Sequence, residues 1–199
     1  MAEAALQHDF VSVEDYLAAE EASETRHEYL GGLVYAMSGT TRAHNTILMN
    51  LAMLIRPALK AGPCQLYAVD ILVNFRIRED EYFYYPDLVV TCDPRDTHPR
   101  FVRHPKLIVE VLSGSTRRID EREKFLAYTT LPSLEEYVLV EQEQPAVRIH
   151  RRSRDWCREE LADITAILHL DSLSLDVPLA GVYEGVPRGA EDRPSRAGE

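Results

Sequence analysis

Two carboxylates stand inside runs that should exclude them. Asp87 lies in Tyr84-Tyr85-Pro86-Asp87-Leu88-Val89-Val90, and Glu110 in Lys106-Leu107-Ile108-Val109-Glu110-Val111-Leu112. Both runs are apolar and rich in β-branched residues, the pattern of strands covered on both faces. A carboxylate there is costly unless it is paired, hydrogen-bonded or bound to a cation. One buried acid is more often structural than catalytic. Two on neighbouring strands, with a lysine-bearing helix directly after the second, point to a divalent-cation site. If the Pro-rich loop between them returns the strands antiparallel, opposed residues come within about 5 Å, close enough to share an ion. An all-oxygen set of few carboxylates suits Mg²⁺ or Mn²⁺ rather than zinc.

Asp120, Lys124 and Tyr128 follow at i, i+4 and i+8 and so share one helical stripe. A lysine entering such a pocket can position hydroxide or stabilise charge growing on a phosphoryl group. Taken alone, Asp120 and Lys124 read as a plain surface ion pair. His44 lies on the stripe of Leu48, Leu51 and Ile55, where a packed core histidine and a water-activating or phosphate-contacting one are equally compatible readings. Tyr82, Tyr84 and Tyr85 can stack on bases, but strand tyrosines more often pack. Arg148, His150, Arg151, Arg152 and Arg154 form the densest basic run. It reads either as a solvated hairpin edge or as a phosphate contact surface.

These residues need elements to carry them. Ser12-Val13-Glu14-Asp15 is a capping box for a helix to about Glu21. Gly31-Gly32 joins two short strands in a hairpin. A helix spans about Thr41 to Lys60, with Pro57 ending or kinking its last turn. Single strands are expected over Gln65–Phe75 and Tyr82–Thr91, a surface loop from Cys92 to Pro105, then the Glu110 strand. A helix from about Arg118 to Thr130 leads to a strand at Glu136–Val140, which the crossover makes parallel to the Glu110 strand. Ala146–His150 and Trp156–Leu161 form a terminal hairpin. The expected organisation is one α/β domain over residues 1–186 with a mixed sheet, followed by a charged, disordered tail over 187–199.

With 199 residues, 45% of them hydrophobic, the chain suits one domain with a full core. A net charge of −11 argues against a non-specific nucleic-acid coat protein, yet not against a nuclease that attracts its substrate through cations and local basic patches. The N-terminal residues lack a basic segment followed by an apolar core, and no apolar stretch is long enough for a bilayer, so a cytoplasmic protein without membrane contact is expected. Cys64, Cys92 and Cys157 are odd in number and lack CxxC spacing, which indicates neither disulfides nor a zinc knuckle.

In order and spacing, the chain resembles the Uma-two family of restriction-endonuclease-like proteins, a branch of the PD-(D/E)XK nuclease superfamily. The likeness runs from about Val11 to Val186. It rests on Glu28 with Gly31-Gly32, His44, Pro86-Asp87, Glu110-Val111-Leu112-Ser113, Ser115-Thr116-Arg117-Arg118-Ile119-Asp120, Lys124, Tyr128 and Glu136-Tyr137. The resemblance implies a restriction-endonuclease-like mixed β-sheet flanked by helices. It implies that Asp87, Glu110 and the Val111 carbonyl hold Mg²⁺ or Mn²⁺, that Glu28 adds an acidic contact, and that His44 is a further participant. The superfamily motif wants lysine two residues after the glutamate, where this chain has Leu112. Lys106 shares the face of Glu110 but lies about 13 Å along the strand, so Lys124 is the better replacement.

The expected function is a metal-dependent endonuclease acting on phosphodiester bonds, with DNA as substrate and Arg117, Arg118, Arg151 and Arg152 as nucleic-acid contacts. Cutting both strands of a duplex needs two such sites, which is compatible with a homodimer. The main alternative is a non-catalytic nucleic-acid-binding or accessory protein with a degenerate site, and Leu112 is the feature in its favour. A hydrolase of small phosphoesters is the third reading.

Overall fold

In the computed structural model, residues 10–37, 39–113 and 119–187 are described. Ser12 caps α1 (Val13–Ala22), its Oγ accepting from Asp15 N–H at 3.1 Å. Next come β1 (His27–Leu30) and β2 (Leu33–Ala36). They are joined through Gly31 and Gly32 at φ +55° and +100°, a left-handed turn that glycine adopts without a Cβ penalty. Thr41 caps α2 (Arg42–Leu59), which buries Ile47, Leu48, Leu51 and Ile55 on one stripe and ends two residues after Pro57.

The two long strands expected next are each broken, and the breaks build the architecture. The first divides into β3 (Gln65–Ala68) and β4 (Leu72–Ile77). Val69 and Asp70 between them take positive φ, which ends one pairing and starts another. The second divides at Tyr85-Pro86-Asp87 into β5 (Asp80–Tyr84) and β6 (Leu88–Thr91). Pro86 has no N–H to offer a ladder. The chain therefore passes twice between two sheets, and the corner is closed by Val69 N–H donating to the Asp87 carbonyl at 3.0 Å.

The loop after β6 contains β7 (Phe101–Val102), which pairs parallel to β4. β8 (Pro105–Leu112) carries Glu110. The expected helix after it is described from residue 119 onward and begins as a wide π-helical turn, Ile119–Lys124, before α3 (Phe125–Tyr128). β9 (Glu136–Glu141) is parallel to β8, as the intervening helix requires. β10 (Val147–Arg151) and β11 (Arg158–Leu161) make the expected hairpin. A second hairpin, β12 (Ile167–Leu170) with β13 (Leu175–Pro178), and the short α4 (Leu179–Val182) complete the described chain and were not foreseen. The tail from residue 188 lies outside the described residues.

One sheet runs β2-β1-β5-β4-β7 and the other β11-β10-β9-β8-β6-β3. On β8 the side chains alternate. Leu107, Val109 and Val111 pack with α2, while Ile108 and Leu112 pack with Tyr128, Tyr137 and the β4–β5 aromatics. Glu110 falls on the second face. No described helix is long and apolar enough to cross a membrane.

The cysteine expectation is corrected. Cys64 and Cys92, one step beyond the Gln65↔Thr91 pair of β3 and β6, form a disulfide, and only Cys157 is free. Their separation of 28 residues carried no signal, because the bond follows from strand register.

Candidate active site

β6 ends before β8 does. The antiparallel register pairs Leu88 with Val109, so Asp87 and Glu110 face each other one step past the last ladder pair. Beyond that point β8 has no strand on its β6 side among the described residues, and the Asp87 carboxylate takes up the Val111 N–H there. Its Oδ2 accepts the Val111 N–H at 2.7 Å, and Asp87 N–H donates to Glu110 Oε2 at 3.3 Å. A strand residue presents its N–H and C=O to the same side, so the Val111 carbonyl opens toward this edge as well.

The other sheet supplies Glu28 from β1. Its Oε1 accepts the Tyr85 N–H at 3.1 Å, a donor freed by the chain break at Pro86. The π-helical turn brings Asp120 and Lys124 inward together, both almost fully buried. The Lys124 ammonium lies 2.9 Å from Glu28 Oε1, 3.2 Å from Glu110 Oε1 and 3.5 Å from Asp120 Oδ1, and 5.6 Å from the centre of the Tyr84 ring. From the start of α2, His44 Nε2 approaches Asp87 Oδ2 at 3.1 Å, while its buried Nδ1 has no hydrogen-bond partner among the described residues.

Glu28, Asp87, Glu110 and Asp120 thus surround one ammonium and one imidazole. Burial pushes the Glu110 carboxyl well above the usual carboxylate range, and the crowding Asp120, Asp87 and Glu28 add to this against the opposing pull of Lys124. For Lys124, burial works against the charged form, but Glu110, Glu28 and Asp120 outweigh it and hold the ammonium above its ordinary value. Crowded carboxylate oxygens, beside an imidazole nitrogen that has no partner among the described residues, fit a divalent cation. Among the described residues, no three His, Cys, Asp or Glu side chains already converge at ligand spacing. The Lys124 ammonium bridges Glu28 and Glu110 instead.

Five expected participants, Glu28, His44, Asp87, Glu110 and Lys124, are brought together with Val111. Asp120 joins them from inside the protein, so the surface-pair reading of Asp120 with Lys124 is corrected. Arg151 and Arg152 are placed away from this cluster. Arg151 is buried, its Nε 2.9 Å from Glu136 and its other nitrogens held by Glu159 and the His169 carbonyl. Arg152 donates to the Leu134 and Leu131 carbonyls and lies over the Trp156 ring. Arg117 and Arg118 lie outside the described residues.

Two supports were missed. Glu20, buried on α1, accepts from His27 N–H at 2.9 Å and from the Tyr85 hydroxyl at 3.0 Å, clamping the backbone on either side of Glu28's contacts. The Thr41 cap fixes the turn that carries His44. Neither residue has a local sequence signal beyond ordinary helix polarity.

Two sheets meeting at a broken strand, with carboxylates at the break and a lysine from the following helix, define a restriction-endonuclease-like protein. The crystal structure of a "putative nuclease belonging to DUF820" from Anabaena variabilis has the same fold, with a TM-score of 0.72 at 15% identity over 87% of this chain and 97% of that one. The chain belongs to the Uma2 family, described as "putative restriction endonuclease", whose model matches residues 13–180. Two Synechocystis relatives are similar over most of their length. Uncharacterized protein slr1290 is 33% identical across 88% of this chain and 93% of its own. Uncharacterized protein sll1609 is 31% identical across 74% and 85%.

Proposed function

We propose that this chain is a metal-dependent endonuclease that hydrolyses phosphodiester bonds, with DNA as its substrate. The observation that carries the reading is the convergence of Glu28, Asp87, Glu110 and Lys124 where β6 stops short of β8. In this reading Asp87, Glu110 and the Val111 carbonyl hold Mg²⁺ or Mn²⁺, which when bound polarises a phosphoryl oxygen and lowers the pKa of a bound water. Lys124 orients the attacking water and offsets charge growing on the phosphoryl oxygens. Glu28 and Asp120 keep the Lys124 ammonium in place, and His44 orients Asp87. Water adds to phosphorus, the P–O bond to the leaving nucleoside breaks, and the leaving oxygen takes up a proton.

The test is plasmid cleavage with Mg²⁺, with Mn²⁺ and with EDTA, comparing the native chain with Glu110→Gln. Cleavage by the native chain with metal alone is expected. No cleavage under any condition would favour the non-catalytic reading, which is supported by Leu112, fully buried at the motif's lysine position.

A further inference from the structure

Away from the carboxylate centre, a groove of about 900 Å³ opens between β4–β5, the loop after β6 and the segment that follows α3. Its walls carry Arg76, Arg95, Arg103 and His104. A clustering of arginines is conspicuous in a chain of net charge −11. Arg76 and Arg95 are 68% and 70% exposed at the side chain. Arg76 gives its Nε to Glu81, and Arg95 gives Nε and Nη2 to Asp93. Exposed pairs of this kind hold weakly in water. They aim each planar fork while leaving further N–H donors for a second acceptor. Arg103 differs from both. Its Nε donates to Asn74 Oδ1 at 2.9 Å and its guanidinium lies 4.8 Å over the Phe101 ring, so both contacts are with neutral groups and its charge is not cancelled by them. Asn74 is itself held, donating to Glu81 and the Tyr82 carbonyl, which makes the Arg103 mount rigid.

We propose that this groove binds the phosphodiester backbone of the nucleic acid, at phosphates other than the one cleaved, with Arg103 as the principal contact and Arg76 and Arg95 flanking it. The proposal rests on the nuclease reading for its choice of ligand. Arginine forks match phosphate oxygens in geometry. Phe75, at the groove wall, packs at a tilt against Tyr84, and Lys124 Nζ lies 5.6 Å from the centre of the Tyr84 ring, so these two aromatics lead from the groove to the carboxylate centre. Of the four arginines expected as nucleic-acid contacts, Arg151 and Arg152 make internal contacts, and Arg117 and Arg118 lie outside the described residues.

The experiment is fluorescence anisotropy of a labelled oligonucleotide, single-stranded and duplex, over a range of salt concentrations. All proteins carry Glu110→Gln so that cleavage does not enter the reading. Arg76→Gln/Arg95→Gln/Arg103→Gln should weaken binding by about tenfold or more. It should also reduce the slope of log affinity against log salt, by about 0.9 for every duplex phosphate the variant no longer neutralises. Arg103→Gln alone, a mild change, should give a substantial part of both effects and serves if the triple variant folds poorly. Arg56→Gln/Arg154→Gln/Arg158→Gln, which removes the same charge elsewhere, should leave the slope unchanged. Equal losses in both triple variants, absence of oligonucleotide binding, or complete displacement by inorganic phosphate or a mononucleotide would each overturn the proposal. Failure of the plasmid test with retained groove-dependent binding would instead remove the catalytic reading alone.

Discussion

Two buried clusters of charge lie on adjacent strands of one sheet, and they are built differently. Around Arg151, one guanidinium is shared among Glu136, Glu159 and Asp171, and Arg154 also meets Glu159. Glu136 accepts from Arg151, from Asp171 N–H at 3.1 Å and from Ser172 N–H at 3.0 Å, and Glu159 takes a further nitrogen of Arg151. Around Lys124, Glu28, Glu110 and Asp120 crowd one ammonium and Asp87 meets His44, while His44 Nδ1 and the Tyr128 hydroxyl stay without partners among the described residues. The first cluster is complete as it stands and ties β9, β10 and the following hairpin together. The second, among the described residues, keeps an imidazole nitrogen and a phenol hydroxyl without partners beside crowded carboxylates. The two clusters differ in whether every buried polar atom has a partner, not in whether they are buried.

The comparison can be broken most forcefully at the two cations. Lys124→Ala should cost about 3–5 kcal/mol of stability without metal, because it strands several buried carboxylates. Mg²⁺ or Mn²⁺ should restore part of that loss, as read from denaturant unfolding with and without the ion. Arg151→Ala should cost a similar amount, with no metal rescue. Metal rescue of both variants, or of neither, would erase the distinction.

Glu110→Gln should have the opposite sign. It removes a buried charge at constant volume, so metal-free stability should hold or rise by about 1–2 kcal/mol while cleavage is lost. The native state binds the Glu110 proton more tightly than the unfolded chain does. The wild type therefore keeps this contribution in full below the ordinary carboxylate pKa and loses it as pH rises toward the folded-state value. The advantage of Glu110→Gln should grow as pH rises above the ordinary carboxylate range, which paired melting curves will show. A flat difference would mean the Glu110 environment is not as described.

Much of the second cluster was legible beforehand. A carboxylate inside an apolar strand pattern is visible without any partner, which is why Asp87 and Glu110 stood out. The strand breaks at Val69-Asp70 and Tyr85-Pro86-Asp87 were not, since the apolar pattern runs on through them and only the jump between sheets ends the pairing. The internal pairing of Arg151 was not visible for a related reason. Its partner Glu136 is 15 residues away on the neighbouring strand, and a local run of arginines looks basic whether or not each is paired. The burial of Asp120 beside Lys124 depends on the π-helical turn, which i,i+4 spacing does not announce.

Smaller changes should sharpen the contrast. Thr41→Ala removes the cap beneath His44 and should cost about 1 kcal/mol, with a modest fall in turnover. Lys106→Ala, which breaks only a partly exposed pair with Glu135, should change stability by less than about 1 kcal/mol and leave cleavage unchanged. Unfolding curves and plasmid assays on these variants suffice.

The central claim is that Asp87 and Glu110 jointly hold a divalent cation, and Mn²⁺ titration followed by electron paramagnetic resonance tests it most directly. The native chain should take up one Mn²⁺ with a saturable signal, and Asp87→Asn and Glu110→Gln should each abolish or strongly weaken it while Glu136→Gln does not. Uptake that is unchanged in both carboxylate variants, or absent from the native chain, would contradict the account.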